Sequence, residues 1–177
     1  MHILMGQFGA KEIKFQMQIR VGTGTDVHEL MAGRKLVIGG VEIDHPMGLK
    51  GHSDADVLLH AVCDALLGAA GLGDIGEHFP DTDTAYKGMD STRFLEICNA
   101  KIQDKGFMVG NLDCTIFAQA PKMSPHKKAM ADCIARVLEL DPDCVNIKAT
   151  TTEHLGFVGR KEGIAAQATV LLYNNES

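Results

Sequence analysis

Apolar and polar positions along this chain fall first into alternation and then into helical periods. Ile19 to Val27 reads as an extended segment, and Gly22 and Gly24 leave room for another backbone to come close. Lys35-Leu36-Val37-Ile38, Gly39-Gly40 and Val41-Glu42-Ile43 spell strand, two-glycine turn, strand, a hairpin signal. Ser53 then reads as an N-cap, with Asp56 as an acidic first-turn residue, and the pattern is helical from Asp54 to about Leu67. Asp56, His60 and Asp64 stand at i, i+4 and i+8 and share one face, while Val57, Leu58, Ala61, Val62, Ala65 and Leu66 supply apolar surface elsewhere. Gly68 to Asp83 is a glycine-rich connection.

A second helix is predicted from about Ser91 to Lys105, with Phe94, Leu95, Cys98 and Ile102 as its buried stripe and Gly106 as a left-handed stop. Phe107 to Ala118 reads as a strand interrupted at Gly110-Asn111. Ser124-Pro125 looks like an N-cap followed by proline at the first helical position. Met130, Cys133, Ile134, Val137 and Leu138 form the stripe of this third helix, which Asp141-Pro142 ends. Cys144 to Thr150 and Ile164 to Tyr173 are the last two strands. This order suits an α+β domain: a single sheet of about four main strands plus a small hairpin, covered on one face by helices. Residues 17–177 form that one domain. Residues 1–16 are read as a leader or added extension, disordered and outside the fold, with Met17 as a natural start.

Composition narrows the function. Of the 177 residues, 45% are hydrophobic and 23% charged, ordinary for a globular protein with a sizeable core. No apolar run approaches the roughly 20 residues of a membrane span. The net charge is −6 and no basic block stands out, which argues against nucleic acid as a partner. The five cysteines are scattered without a C-x-x-C pair, which suits reduced thiols in a cytoplasmic protein. An acidic protein that takes a phosphate ester must hold it with local cations, metals or backbone amides.

The candidate chemistry answers to that charge problem. Asp26 and His28 are two residues apart, so on a strand they share a face, and His60 on the following helix completes a three-ligand set. Three protein ligands leave a zinc ion one open position for a substrate oxygen. The imidazole of His60 needs a partner for its other nitrogen, and Asp56 or Asp64 is placed to provide one. A solvated acidic helix face is the alternative reading of the same spacing. Thr150-Thr151-Thr152-Glu153 ends an apolar strand, where hydroxyls and amides bind phosphate oxygens without adding charge and Glu153 ligates a hard cation. Three threonines equally suit an exposed strand. Arg160 offers an anion clamp. Ala118-Gln119-Ala120-Pro121-Lys122-Met123-Ser124 joins a strand to a helix start and exposes backbone amides, or is simply a tight connection.

Taken together, these strings resemble the 2-C-methyl-D-erythritol 2,4-cyclodiphosphate synthase family of the non-mevalonate isoprenoid pathway. The strings are Asp26-Val27-His28, His52-Ser53-Asp54-Ala55-Asp56-Val57, Gly73-Asp74-Ile75-Gly76, Phe79-Pro80-Asp81-Thr82-Asp83, Ala118 to Met123, and Lys148-Ala149-Thr150-Thr151-Thr152-Glu153 with Gly156-Phe157 and Gly159-Arg160. They run in the family's order and spacing from Met17 to Leu172.

The resemblance implies an enzyme that converts 4-diphosphocytidyl-2-C-methyl-D-erythritol 2-phosphate into the cyclic diphosphate and CMP. It implies zinc on Asp26, His28 and His60, and a second divalent cation, magnesium or manganese, on Glu153. His52 and Thr151 become transition-state stabilisers. Substrate contacts are implied for Asp26, Val27, His28, His52 and Ser53, for Phe79, Pro80, Asp81, Thr82 and Asp83 toward the erythritol, and for Asp74, Ile75 and Gly76 toward the ribose. Ala118, Gln119, Ala120, Pro121, Lys122, Met123 and Ser124 would receive cytosine, with Thr150, Thr151, Thr152, Glu153, Phe157 and Arg160 completing the pocket. Ser124 stands where relatives carry an apolar residue, which matters little if main-chain groups read the base. The family is a homotrimer with active sites between subunits. Its central cavity, bordered by residues such as Arg160 and Glu162, takes isoprenoid diphosphates. Thr25 stands where phenylalanine is common, which argues for weaker affinity there. A zinc-dependent phosphohydrolase and a non-catalytic metal- or isoprenoid-binding trimer are the competing readings. The first lacks an obvious general base, and the second is at odds with an intact ligand set.

Overall fold

Alternation carries the first strand further than its apolar residues alone suggest. The protein, here a computed structural model, is described at residues 17–80, 82–83, 86 and 88–174. The expectation for residues 1–16 and the role given to Asp81 lie outside the described residues. Strand β1 (Gln18–Ala32) buries Gly22, Gly24 and Leu30 on one face, with Asp26 and His28 half-buried on that same face. Ile19, Val21, Val27 and Met31 stand exposed on the other.

The five-stranded sheet has the order β4-β1-β7-β5-β6, built from β4 (Met47–Leu49), β5 (Met108–Phe117), β6 (Val145–Thr150) and β7 (Gly163–Asn174). Only β5 and β6 are parallel. Strands β2 (Leu36–Ile38) and β3 (Val41–Ile43) make the separate hairpin across Gly39-Gly40. Both glycines have positive φ, as a two-residue hairpin turn requires. The four main strands and the hairpin match the sequence reading, and the three-residue β4 adds to it. At Gly110 a bulge shifts the register, so burial passes from Val109 to Leu112, Cys114 and Ile116. Without that extra residue the second half of β5 would turn its apolar side chains to the wrong face.

Helix α1 (Val57–Ala70) lies on β1 and β7. Short α2 (Ile75–His78) lies within the connection read as irregular from sequence. Helix α3 (Ser91–Asp104) packs on α1, and α4 (Lys127–Leu138) packs on β6. Short α5 (Gly156–Gly159) precedes β7. Because β1 and β7 each bury one parity, and the bulge in β5 keeps its apolar residues on the same side, a single face carries the core. Among the described residues no helix is long and apolar enough to cross a membrane.

Two helix starts differ from the sequence reading. Helix α1 begins at Val57, capped by Asp56 rather than Ser53. Ala55 has a left-handed backbone (φ 60), which stops the helix from reaching back. Asp56 is fully buried and accepts from the amides of Leu58, Leu59, Gly39 and Gly40, at 2.7 to 3.1 Å. One carboxylate thus ties the hairpin turn to the helix N-terminus. Helix α4 starts after His126, without a side-chain cap, so Ser124-Pro125 lie in the preceding turn. It ends at Leu138, where Glu139 turns left-handed, and Asp141-Pro142 instead open the 3-10 turn Pro142–Cys144.

Candidate metal centre

The approach of α1 to β1 begins with two missing side chains. A Cβ on Gly22 would sit 2.1 Å from the Ala65 carbonyl, and one on Gly24 2.1 Å from that of Ala61. Ala61, Ala65 and Ala69 repeat every fourth residue and present small side chains to that strand. Backbone meets backbone there, and the half-buried stripe of α1 that holds His60 comes level with Asp26 and His28. The rest of the helix is buried nearly all round.

Three ligand atoms then converge. Asp26 Oδ2 is 3.0 Å from His28 Nε2 and 3.0 Å from His60 Nδ1, and the two nitrogens are 3.1 Å apart. The hydrogen-bond partners assign the tautomers. His28 Nδ1 lies 2.8 Å from the Lys50 carbonyl, which only accepts, so this nitrogen carries the proton and Nε2 a lone pair. His60 Nε2 lies 3.0 Å from Ser91 Oγ. The Ser91 hydroxyl gives its own proton to Asp54 Oδ1 at 2.5 Å, so Ser91 accepts from Nε2–H and His60 Nδ1 keeps a lone pair. Three electron-rich atoms therefore face one point. Ligands about 2.0–2.1 Å from a tetrahedral zinc stand about 3.3 Å apart, close to the separations seen. The donor set fits zinc: one carboxylate, two neutral imidazoles and an open side.

Electrostatics agree. Burial pushes the Asp26 carboxyl up, but the hydrogen bonds and charge of His28 and His60 outweigh it and hold the group far below the usual carboxylate range. Burial pushes His28 down, and the Asp26 carboxylate reverses that and raises it. In both cases the carboxylate favours a positive charge beside it.

The partner expected for His60 is corrected. Neither Asp56 nor Asp64 reaches the ring. Asp56 is spent on four amides, and Asp64 accepts from the Ile75 amide at 2.7 Å, which fixes the start of α2. Ser91, with Ser53 Oγ at 3.3 Å, takes that place. The acidic helix face is likewise not a solvated one at Asp56, which is fully buried. Burial pushes the Asp56 carboxyl up, to about 6, against the amides that favour its ionised form.

A cleft of about 660 Å³ opens over the triad. It gathers Asp26, Val27, His28, His52, Ser53, His60, Ile75, Phe79 and Asp83, all singled out from the sequence. Glu29, Lys50, Gly51 and Tyr86 also line it without a sequence signal, and Phe94, read from sequence only as a core residue, lines it too. Phe79, Tyr86 and Phe94 form one aromatic wall with ring centroids 4.6 to 5.8 Å apart. Asp74, Gly76, Pro80 and Thr82 do not line the cleft. Asp74 caps α2 by accepting from the Glu77 amide.

A second pocket, of about 340 Å³, is bounded by Ala118, Gln119, Ala120, Pro121, Lys122, Met123, Ser124, Thr150 and Thr151. Glu153 lies just beyond, with Oε1 accepting from the Thr151 hydroxyl at 2.9 Å. Glu153 and His154 both adopt left-handed backbone (φ 50 and 65), and a Cβ on Gly159 would sit 2.1 Å from His154 C, so this tight turn depends on that glycine. Thr152 bonds the Leu155 carbonyl and steadies the same turn. Phe157 is exposed, and Arg160 forks onto Glu162 at 2.8 and 3.0 Å instead of facing either pocket. The strand register sets Asp26, Ala166, Ile116 and Ala149 at one level. Strands β1 and β6 are three spacings apart, so the two pockets stand roughly 14 Å from each other across the sheet.

Comparison with known proteins extends these observations. Residues 19–173 match the model of the YgbB family. The 2-C-methyl-D-erythritol 2,4-cyclodiphosphate synthase of Geobacter sulfurreducens is 62% identical over 154 residues, 87% of this chain and 98% of that protein. Among solved structures, the bifunctional IspDF of Campylobacter jejuni superposes with a TM-score of 0.87 at 49% identity. The match covers 90% of this chain and 43% of that one. An IspF–CDP complex from Plasmodium falciparum gives 0.79 at 34% identity, covering 89% and 97%.

Proposed function

The chain belongs to the YgbB family and is a cyclising lyase of the isoprenoid pathway, and on that premise we propose its reaction. It converts 4-diphosphocytidyl-2-C-methyl-D-erythritol 2-phosphate into 2-C-methyl-D-erythritol 2,4-cyclodiphosphate and CMP. The observation that carries this reading is the convergence of Asp26 Oδ2, His28 Nε2 and His60 Nδ1 within 3.1 Å, opening onto a cleft.

Asp26, His28 and His60 would hold zinc and Glu153 a magnesium or manganese ion, which together supply Lewis acidity and neutralise a polyanion inside an acidic protein. No protein nucleophile is needed. The substrate's own 2-phosphate oxygen attacks the β-phosphorus, the bond from that phosphorus to the CMP oxygen breaks, and CMP leaves. Tethering of the nucleophile makes orientation the main task, and the walls of the cleft perform it. His52 and Thr151 donate hydrogen bonds to phosphoryl oxygens as charge shifts toward the leaving group. Ser53, Phe79 and Asp83 seat the erythritol, and Ile75 the ribose side. The main chain from Ala118 to Ser124 receives cytosine, a role supported by the CDP held by the Plasmodium falciparum relative.

The active unit is a homotrimer whose sites form between neighbours. Two features support this. The two pockets lie too far apart on one chain for a diphosphate to join them directly. The uncovered sheet face also carries an apolar row: Ile19, Tyr173 and Met108 at one level, Val21 and Leu171 at the next. Ile19 is 55% and Val21 65% exposed in the single chain, more than an unassembled sheet face tolerates well.

Phosphorus NMR of the protein with substrate, zinc and magnesium tests the reaction. Cyclic diphosphate plus CMP is expected, whereas orthophosphate would point to a hydrolase and no turnover to a binding protein. His60→Ala should lose zinc and turnover together while keeping its assembly. Zinc at full occupancy in that variant overturns the ligand assignment.

A further inference from the structure

Residues 50–53 form no regular secondary structure, yet they carry His52 and Ser53 into the cleft. Four consecutive carbonyls in this segment are each engaged from elsewhere. Lys50 O accepts from His28 Nδ1 at 2.8 Å, Gly51 O from Arg34 Nη1 at 2.7 Å, His52 O from the Gly88 amide at 2.7 Å, and Ser53 O from Arg34 Nη2 at 2.7 Å. Irregular backbone with its acceptors met in this way is held in one conformation, not left to solvent.

Arg34 supplies two of the four bonds, and they straddle His52. Its planar guanidinium offers two N–H groups in a fixed fork, so gripping both carbonyls also fixes the spacing between them. The side chain comes from the turn between β1 and β2. It lines a separate surface pocket with Lys35, Val37, Ser53, Asp54 and Gly88, whereas Gly51 and His52 line the cleft alone and Ser53 borders both. Arg34 therefore works from behind the segment, out of reach of anything bound in front.

We infer that Arg34 is a positioning residue: it clamps the backbone on both sides of His52 and so aims that imidazole into the cleft without touching substrate. The inference rests on the reading of the cleft as the substrate site, but the clamp itself is testable apart from it. A misplacement of about 1 Å in a catalytic group can cost on the order of 100-fold in rate.

Two measurements on Arg34→Ala and Arg34→Lys decide the matter. Amide hydrogen exchange should quicken at least tenfold at Gly88 and Asp54 in Arg34→Ala, while β1 and β7 keep their protection. Steady-state turnover should fall about 10- to 100-fold in kcat, with KM changed less than about threefold and zinc content as in the wild type. Arg34→Lys should fall between, because one ammonium reaches one carbonyl at a time. Unchanged exchange at Gly88, or exchange raised with kcat unaltered, overturns the inference. So does a loss of protection spread evenly over β1 and β7, the mark of a merely structural role. If Arg34→Ala does not fold, Arg34→Lys carries both measurements. If the wild type forms no cyclic diphosphate, the substrate reading fails, and the exchange results still decide the clamp.

Discussion

Around Asp26, His28 and His60, four polar contacts join residues 22 to 34 positions apart in sequence, and only the Asp26–His28 and Ser53–His60 contacts are local. Around Thr150 to Glu153, the hydroxyls bond one, two or three residues away. The first region is built by tertiary packing: β1, α1, α3 and the 50–53 segment must all dock before the triad exists. The second is a ledge of local turns at a strand end, tied to the neighbouring strand end by Gln119 accepting from the His154 amide and by Thr150 accepting from the Ala118 amide. One chain thus finishes its metal side and leaves its ledge half-open. That asymmetry suits a site whose ledge faces a neighbour's cleft, and it says where substitutions should act on metal and where on assembly.

The most damaging test of the contrast is at the strand–helix contact. Gly24→Val should destroy the metal half and with it the fold. A Cβ there meets the Ala61 carbonyl and the Ala65 amide nitrogen, at 2.1 and 2.7 Å, and backbone cannot rotate away as a side chain would. A loss of about 3 kcal/mol or more is expected by urea denaturation, above the usual cost of overpacking, with zinc lost as well. A stable, zinc-replete variant would mean that β1 and α1 are not in this contact.

A charge on the uncovered face should do the opposite. Val21→Asp sits on the far side of the sheet from His60, so zinc stoichiometry should persist. Turnover should fall about 100-fold at low protein concentration, since an interface charge without a partner costs several kcal/mol. Sedimentation velocity should show smaller species. If the species size is unchanged, the apolar row is not the interface of the proposed trimer. If monomers turn over fully, the ledge needs no neighbour.

Ser91→Ala sharpens the comparison within the metal half. It removes the acceptor for His60 Nε2–H and leaves the ring free to change tautomer, with Ser53 Oγ at 3.3 Å as a poor substitute. Zinc affinity should drop about 10- to 100-fold by chelator competition, with little change in the ledge. Nitrogen NMR of the apoprotein should show His60 protonated on Nε2 in the wild type and mixed in the variant. A single unchanged tautomer would place the control elsewhere.

The same contrast explains what could be read from sequence. Asp26 and His28 were legible because a strand repeats every two residues, and His60 because it lies on a helix with few other polar positions. The strand-end strings were legible because their contacts are local. Ser91 and Asp54 gave no signal toward His60: Ser91 lies 31 residues from it, and the Ser91–Asp54 bond spans 37. Asp56 reads as a first-turn acid and a candidate partner for His60, because no periodicity reveals that a hairpin turn docks on it. Arg34 carries no signal in the sequence, since its acceptors are carbonyls 17 and 19 residues away. Helix α2 and strand β4, with four and three residues, are too short to carry a period.

The smallest effect is expected beneath the ledge. Lys148 on β6 bonds Asp113 on β5 at 2.5 Å, and the ammonium, followed by the Asn146 amide, holds the Asp113 carboxyl below its ordinary value. A carboxyl whose folded value is depressed adds stability above its unfolded value, near 3.8, and that contribution fades as pH falls through the folded one. Both side chains are about half exposed, so water and salt screen the pair and less than about 1 kcal/mol is at stake. Lys148→Met should therefore cost a few tenths of a kcal/mol at pH 6, measured by urea denaturation, and progressively less as pH falls below 3.8 and through the depressed folded value. Turnover should stay within about twofold of wild type, because the pair fixes neither Thr151 nor Glu153, whose bonds are to each other. A tenfold fall in kcat at pH 7 would break the contrast, for it would mean that the ledge, like the metal half, is aimed by groups packed under the sheet and not by its own turns.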